Sequence, residues 1–274
     1  MNKYGESYIL ATLMIILAII IAIIYSPRFI SESPSSGRVE LLKSVIKSLI
    51  RSEVASRTRT AFNHLKEYME GKIKELKIEE ILKENNFLSM DPNKQLGKKI
   101  MENIYNIKDV NFDVNEEYSI EESTIQKKTL INLTRFKLDL TYTFKDPIAP
   151  NLEGSQNYYI ELSGVYLSKL NKIKGTILYK IDTGFDLKDS YGPIKYIEYT
   201  IYIFNNTQLE KVAYGFKESS NGHYDISVLI RPEYYIMIYN EDPYKEFGIV
   251  LVVSGSRSET LWCVLRVENK EKQG

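Results

Sequence analysis

The chain has 274 residues, in which 36 lysines and arginines balance 36 aspartates and glutamates, with two histidines and one cysteine. Zero net charge gives no global field to recruit nucleic acid, and no Arg-rich or Gly-rich aromatic reader motif is present, so the reading contains no nucleic-acid partner. The lone Cys263 excludes an internal disulfide framework and a cysteine zinc cluster, and between Trp262 and Val264 it reads as a small core hydrophobe.

The first extended feature is the uncharged run from Tyr8 to Tyr25, dominated by isoleucine and leucine. As a helix rising about 1.5 Å per residue it is just long enough to cross a hydrocarbon core of about 30 Å. Only a helix satisfies every peptide group of a lone segment in lipid, and Tyr8 and Tyr25 stand where interfacial rings are expected. The expected partner of Tyr8 to Tyr25 is therefore the lipid bilayer. A cleaved secretory signal usually has a shorter apolar region followed by small residues. Here Ser26-Pro27-Arg28-Phe29 follows, which predicts a retained single-pass anchor.

Ahead of the run stand Lys3, Gly5, Glu6 and Ser7. A short basic leader ending in glycine, then a polar pair and an apolar helix, resembles the class III signal of type IV pilin-like proteins, particularly archaeal ones. That resemblance implies cleavage by a prepilin peptidase between Gly5 and Glu6 on the cytoplasmic side. It covers some 25 residues, with Tyr4 where a basic residue is common and Leu10 where many pilins carry an acid. The same residues also fit an ordinary signal-anchor helix. Lys3 lies on one side of the anchor and Arg28, Arg38 and Lys43 on the other, so the positive-inside count slightly favours a cytoplasmic C-terminus. That rule loses force for long translocated domains. The leader and the tyrosine-rich, strand-rich remainder set the expectation of an extracytoplasmic C-terminal domain at the cell membrane.

Residues 26–37, with Pro27 and Pro34, read as a breaker-rich linker. A structural pilin usually runs its membrane helix straight into the globular domain, so this break points to an accessory subunit. Residues 38–107 read as a helical stalk or packing layer, starting at an N-cap on Ser36. Leu42, Val45, Ile46, Leu49, Ile50 and Val54, then Ala61, Phe62, Leu65, Met69, Ile73 and Leu76, recur at three and four, with Glu70 placed to pair with Lys74. The polar stretch Ser56-Arg-Thr-Arg-Thr60 is a candidate break into two helices. The apolar stripe either packs on the rest of the protein or meets a partner subunit as a coiled coil. Asn85-Asn86 ends the run, and Asp91-Pro92 opens another helix with Leu96, Ile100, Met101 and Ile104 on one face. Residues 38–86 hold 11 basic against 8 acidic residues and residues 108–274 hold 20 against 24, a mild charge asymmetry.

Over 108–274 the period becomes two. Phe136, Leu138, Leu140, Tyr142 and Phe144 alternate with Lys137, Asp139, Thr141 and Thr143, which predicts a strand with one dry and one wet face. Similar strands are expected near Tyr158 to Leu167, Thr176 to Asp182, Lys195 to Phe204, Lys211 to Phe216, Tyr224 to Ile230, Tyr234 to Tyr239, Ile249 to Val253 and Leu261 to Val267. Asn171 to Gly175, Ser219 to Gly222 and Ser254 to Ser256 are short enough for antiparallel hairpins. The fold class is α+β: an N-terminal transmembrane helix, a helical segment, then an antiparallel β-sheet or sandwich of roughly eight to ten strands.

No constellation of residues carries chemistry. His223 and Asp225 could place two metal ligands on one strand face, but no third ligand is identifiable. His64 is a polar helix position. Ser44-Val-Ile-Lys47 matches an acyl-transfer motif by letter and lacks its companions. No phosphate-binding glycine loop, metal centre or cofactor site is expected, and the chain reads as a non-enzyme. Asn132-Leu-Thr134 and Asn205-Asn-Thr207 are glycosylation sequons that matter only for a domain outside the cell. The tyrosines suit half-buried strand faces, with rings covering apolar surface and hydroxyls reaching water. Tyr158, Tyr159, Tyr196, Tyr202 and Tyr235 form a candidate contact surface for a protein or glycan partner. The sequence thus reads as a membrane-anchored cell-surface protein with a structural or adhesive role, as an accessory pilin-like subunit with protein partners in a surface assembly. The competing reading is a membrane-tethered ligand-binding or sensor domain.

Overall fold

The computed structural model describes residues 34–82, 108–125, 128–145, 152–166, 170–205, 208–234, 247–255 and 259–265. The leader with its Gly5–Glu6 bond, the Tyr8 to Tyr25 run, the Asp91-Pro92 segment and Tyr235 lie outside these residues. Among the described residues no helix is long and apolar enough to cross a membrane.

The first element is a single helix, α1, over Pro34–Met69. It starts inside the expected linker because Pro34 sits in the first turn, where a missing N–H breaks no intrahelical bond. Leu42, Ile46, Ile50, Val54, Ala61, Phe62, Leu65 and Met69 form its buried stripe. Between Val54 and Ala61 the spacing of three and four falls on Arg57 and Thr58, which are 4% and 0% exposed. That polar stretch is therefore part of the packed face and does not split the helix. Arg57 donates to Glu53 at 2.8 Å and to the carbonyl of Leu82 at 3.0 Å, which ends the short helix α2 (Ile78–Leu82). Thr58 Oγ1 donates to the Val54 carbonyl at 2.8 Å, its own helix's turn.

Gly71 stops α1. Its φ of 71° is the left-handed conformation that costs a side-chain-bearing residue about 1–2 kcal/mol. Lys72 N–H reaches the Glu67 carbonyl at 2.9 Å and Gly71 N–H the Tyr68 carbonyl at 3.0 Å, which caps the last turn with two crossed bonds. Ile73 and Leu76 consequently lie beyond the helix, and Glu70 pairs with Lys66 and Lys72 in place of Lys74.

The remainder is mostly antiparallel sheet, as the period of two predicts. Among the described residues eleven strands are joined in one sheet: β1 (Lys108–Ile125), β2 (Lys128–Lys145), β3 (Leu152–Tyr166), β4 (Leu170–Lys172), β5 (Tyr179–Asp189), β6 (Gly192–Pro193), β7 (Tyr196–Asn205), β8 (Gln208–Glu218), β9 (His223–Ile230), β10 (Phe247–Gly255) and β11 (Thr260–Leu265). The order is β4-β5-β3-β2-β11-β10-β7-β8, with β1 added on β2 and with β6 and β9 added on β5. The sheet forks at β2. One edge of β2 carries β1 along its length, while the other carries β3 along Arg135–Phe144 and β11 at Leu133, which faces Trp262. Phe136, Leu138, Leu140 and Tyr142 are all buried, as their alternation predicts. α1 contacts β2, β3, β8 and β11, and its stripe joins the sheet residues in one hydrophobic cluster. Phe62 is the centre of that contact, with ring centroids 5.7 Å from Trp262 and 6.1 Å from Tyr202.

Two of the expected hairpins form, β4–β5 and β10–β11. The turn at Ser219 to Gly222 is different, because β9 pairs with β5 and not with β8. Thr176 lies in a turn ahead of β5, and Tyr234 is helical, as are residues 232 and 233 before it. Three tyrosines stand directly across from glycines in the register: Tyr142 and Gly154, Tyr166 and Gly184, Tyr199 and Gly215. In each pair the ring lies where a glycine Cβ would sit, covering exposed backbone with aromatic surface. Part of the tyrosine abundance is therefore structural.

Candidate interaction surface

Four of the five tyrosines singled out from the sequence, Tyr158, Tyr159, Tyr196 and Tyr202, are described, and they do not share one face. Tyr158 is interior, 1% exposed, which corrects its place on a contact surface. It pairs with Leu138 on the dry phase of β2 and β3, and its hydroxyl donates to Glu259 at 2.6 Å, itself buried. Burial, then the Glu259 carboxylate, push that hydroxyl's pKa far above the ordinary tyrosine value. The Arg51 guanidinium lies 5.3 Å from the Tyr158 ring centroid and pairs with Asp189 at 3.1 Å. Arg51 and Lys47 also lie 4.1 and 3.7 Å from the ring centroid of Tyr191. This cationic and aromatic clamp fixes α1 on the β3 and β5 side of the sheet. Tyr202 is half-buried against Phe62, and burial raises its hydroxyl pKa. Tyr159 faces the other way from Tyr158, with Arg135 5.7 Å from its ring centroid.

Of the four described members Tyr196 is the most exposed, at 55%, and the structure adds neighbours that the sequence reading missed. Cross-strand register pairs Tyr196 with Glu218, Glu198 with Phe216 and Thr200 with Tyr214, so all six share one face of β7 and β8. Phe216 is 76% and Tyr214 64% exposed, among the most exposed large hydrophobic side chains of the described residues. Thr200 pairs with Val252 and Val252 with Trp262, so this is the face on which Phe62 of α1 packs. The patch is the part of that face beyond the helix's cover. The signal available in the sequence was the phase of β8: Tyr214 and Phe216 alternate with Ala213 and Gly215, but nothing in that alternation marks the aromatic phase as the wet one.

The charges of the patch are equally distinctive. Glu161, Asp182 and Asp186 on β3 and β5 each have a cation or histidine alongside, namely Lys188, Lys180 and His223. The side-chain carboxylates of Glu198 and Glu218 make no hydrogen bond or ion pair among the described residues. Tyr196, Glu218, Phe216 and Glu198 thus form a checkerboard of two rings and two unpaired carboxylates, roughly 5 Å across strands and 7 Å along them. Lys211 sits 4.8 Å from the ring centroid of Tyr214, so a cation already uses one ring at the margin.

The outer face of β5 and β9 carries the other polar cluster. His223 Nδ1 lies 2.8 Å from Asp186, and its Nε2 3.5 Å from Asp225, which accepts from the Tyr166 hydroxyl at 2.8 Å. The bond to Asp186 raises the histidine pKa, and the Tyr166 bond lowers that of Asp225. Asp186 supplies the third acid or imidazole side chain, but the two carboxylates address opposite ring nitrogens and cannot converge on one ion with it. Among the described residues no group of three or more such side chains could hold a metal. His64 is a half-buried helix residue, as expected. Asn132 is half-buried in β2 and accepts from Val264 N–H at 2.5 Å, which ties its amide to β11 and leaves it unsuited to carry a glycan. A shallow depression of about 300 Å³ lies over β2 and β3, lined by Asp139, Leu140, Thr141, Ser155, Gln156 and Asn157, with no tyrosine in it.

No protein-family model matches the chain, and neither the curated proteins nor the solved structures contain a significant match.

Proposed function

We propose that this chain is a single-pass, membrane-anchored cell-surface protein with a structural or adhesive role, an accessory pilin-like subunit that meets its partners through the β7–β8 patch. The observation that carries the reading is α1: a long helix laid on an antiparallel sheet, starting at Pro34, with only residues 26–33 between it and the apolar run. An anchor so close to a packed helix holds the sheet near the bilayer and leaves its exposed face for contacts. Support also comes from the patch itself, since clustered exposed rings on a sheet face mark interaction sites more often than isolated ones do. The ligand-binding alternative draws less support, because the depression over β2 and β3 is open, polar and free of tyrosine.

Mass spectrometry of the N-terminus of the native membrane-associated protein, with protease accessibility of the sheet domain on intact cells, tests this. The expected result is a mature start at Glu6 and an accessible domain. An intact Met1 with a protected domain would overturn the reading and make the large part cytoplasmic. Intact but accessible protein would remove the pilin-like route and leave a plain surface anchor.

A further inference from the structure

We propose that the β7–β8 patch receives the β4–β5 hairpin tip of a second copy of this chain, giving a head-to-tail contact between subunits. This deepens the patch reading above and rests on it. The tip is a complementary feature among the described residues. Between β4 and β5, Ile177 is 73% exposed and Lys174 is exposed with no partner among the described residues. The turn that presents them is tightly bonded. Ile173 N–H reaches the Leu178 carbonyl at 3.1 Å, Thr176 N–H the Ile173 carbonyl at 3.1 Å, and Leu178 N–H the Thr176 hydroxyl at 3.2 Å. Gly175, at φ 81°, supplies the left-handed corner. An apolar knob and a lysine are thus held three residues apart, on the order of 7 Å, on a preorganised tip.

The patch offers the matching set at matching spacing. The Phe216 and Tyr196 rings fit Ile177, and the unpaired Glu198 and Glu218 carboxylates fit the Lys174 ammonium. Charge complementarity points to the occupant, because the Glu198 and Glu218 carboxylates of the patch and the Lys174 ammonium of the tip make no ion pair among the described residues. Geometry makes the contact intermolecular. The Tyr196 and Glu218 ends of the patch strands are joined by Ser219 N–H to the Lys195 carbonyl, and the same end is tied to Leu187 near the far end of β5 through Gly222 and Ile194. The tip precedes Tyr179 at the opposite end of β5. Patch and tip therefore lie roughly 30 Å apart along the strand and cannot meet within one molecule. A contact between different surfaces of identical chains is heterologous, so it propagates into a row or a ring.

The test uses the full-length chain in detergent. Sedimentation and light scattering across a concentration series are expected to show self-association of the wild type. Ile177→Ser and Phe216→Ser are each expected to weaken it about tenfold, the effect of losing one central anchor. Lys174→Glu weakens it likewise, and Lys174→Glu with Glu198→Lys restores it. A mixture of Lys174→Cys and Glu218→Cys chains is expected to give a disulfide-linked dimer that neither gives alone. A monomeric wild type, or variants that associate as the wild type does, would overturn the contact, and the second result would assign association to the anchor. Thermal melts of each variant separate lost contact from lost fold. A monomer that still starts at Glu6 and is accessible on cells removes this contact and leaves the surface-protein reading standing.

Discussion

Thr58 Oγ1 accepts the backbone N–H of Thr260 at 3.0 Å, joining the middle of α1 to the first residue of β11, with both residues at most 5% exposed. The hydroxyl also donates to the Val54 carbonyl, so it is used in both directions. Thr58→Val keeps the shape and leaves a buried N–H without that acceptor. Urea unfolding is expected to show a loss of about 1–3 kcal/mol, with Thr58→Ser losing much less. Equal losses for the two variants would mean that packing, not the bond, fixes this crossing.

The Arg51–Asp189 pair is the second tie between α1 and the sheet, with the two side chains 11% and 13% exposed. Removing one member leaves the other charge buried, and Arg51→Ala is expected to cost about 3–5 kcal/mol. Arg51→Lys should recover only part, because an ammonium cannot stack flat over Tyr191 and Tyr158 while it meets Asp189. A double-mutant cycle with Asp189→Ala measures the coupling, and strict additivity would rule the pair out as a unit.

Gly154 lies under the buried Tyr142 ring. Gly154→Ala forces the ring off its site, and an overpacking cost of about 1–3 kcal/mol is expected. Gly154→Ala combined with Tyr142→Ala should cost less than the sum of the two single changes. Calorimetric melts of the three variants decide it.

His223 gives the outer face a pH dependence. Its folded pKa is raised, chiefly by Asp186, so its stabilising contribution is complete below the unfolded value of about 6.5 and disappears as pH rises through the folded value. Asp225 acts in the other direction: its folded pKa is lowered, chiefly by Tyr166, so its contribution is present above the unfolded value and is lost as pH falls through the folded one. Melting temperature followed from pH 5 to 9 is expected to drift down on the alkaline side, and His223→Asn should flatten that drift. An unchanged profile in the variant would assign the drift to other groups.

Burial pushes the Cys263 thiol up to about 12, with Glu121 adding to the effect. The folded protein is expected to resist iodoacetamide at pH 8 and to react fully in guanidinium. Mass spectrometry of the alkylated chain reads both states.

Much of the fold is legible in the sequence because periodicity reports burial directly. The stripe from Leu42 to Met69 and the alternation of Phe136, Leu138, Leu140 and Tyr142 both survive into the structure. What escapes is information that a period does not contain. Arg57 and Thr58 look like an interruption until their partners, the Leu82 carbonyl and Thr260 N–H, come from elsewhere in the chain. Tyr158 and Tyr159 occupy opposite faces of one strand, and composition cannot say which face is wet. The patch is harder still, since it requires the register that sets Glu198 beside Phe216, and β7 and β8 are edge-side strands whose outer phase is as aromatic as a core phase. The turn at Ser219 to Gly222 misleads for a related reason: its length permits a hairpin, but β9 pairs along β5, with Tyr224 opposite Phe185 and Val228 opposite Ile181.

The position of β10 and β11 has a consequence for how the molecule is made. These two strands, the last two among the described residues, stand between β2 and β7 in the middle of the sheet. During synthesis from the N-terminus, Leu133 waits for Trp262 and Ile203 waits for Ile249, so both flanking edges stay open until residues 247–265 emerge. An interrupted chain therefore keeps two unpaired strand edges of the kind that recruit other polypeptides. The β10–β11 hairpin joins the two flanks of the sheet, so residues 247–265 must be made before β2 and β7 can become parts of one sheet.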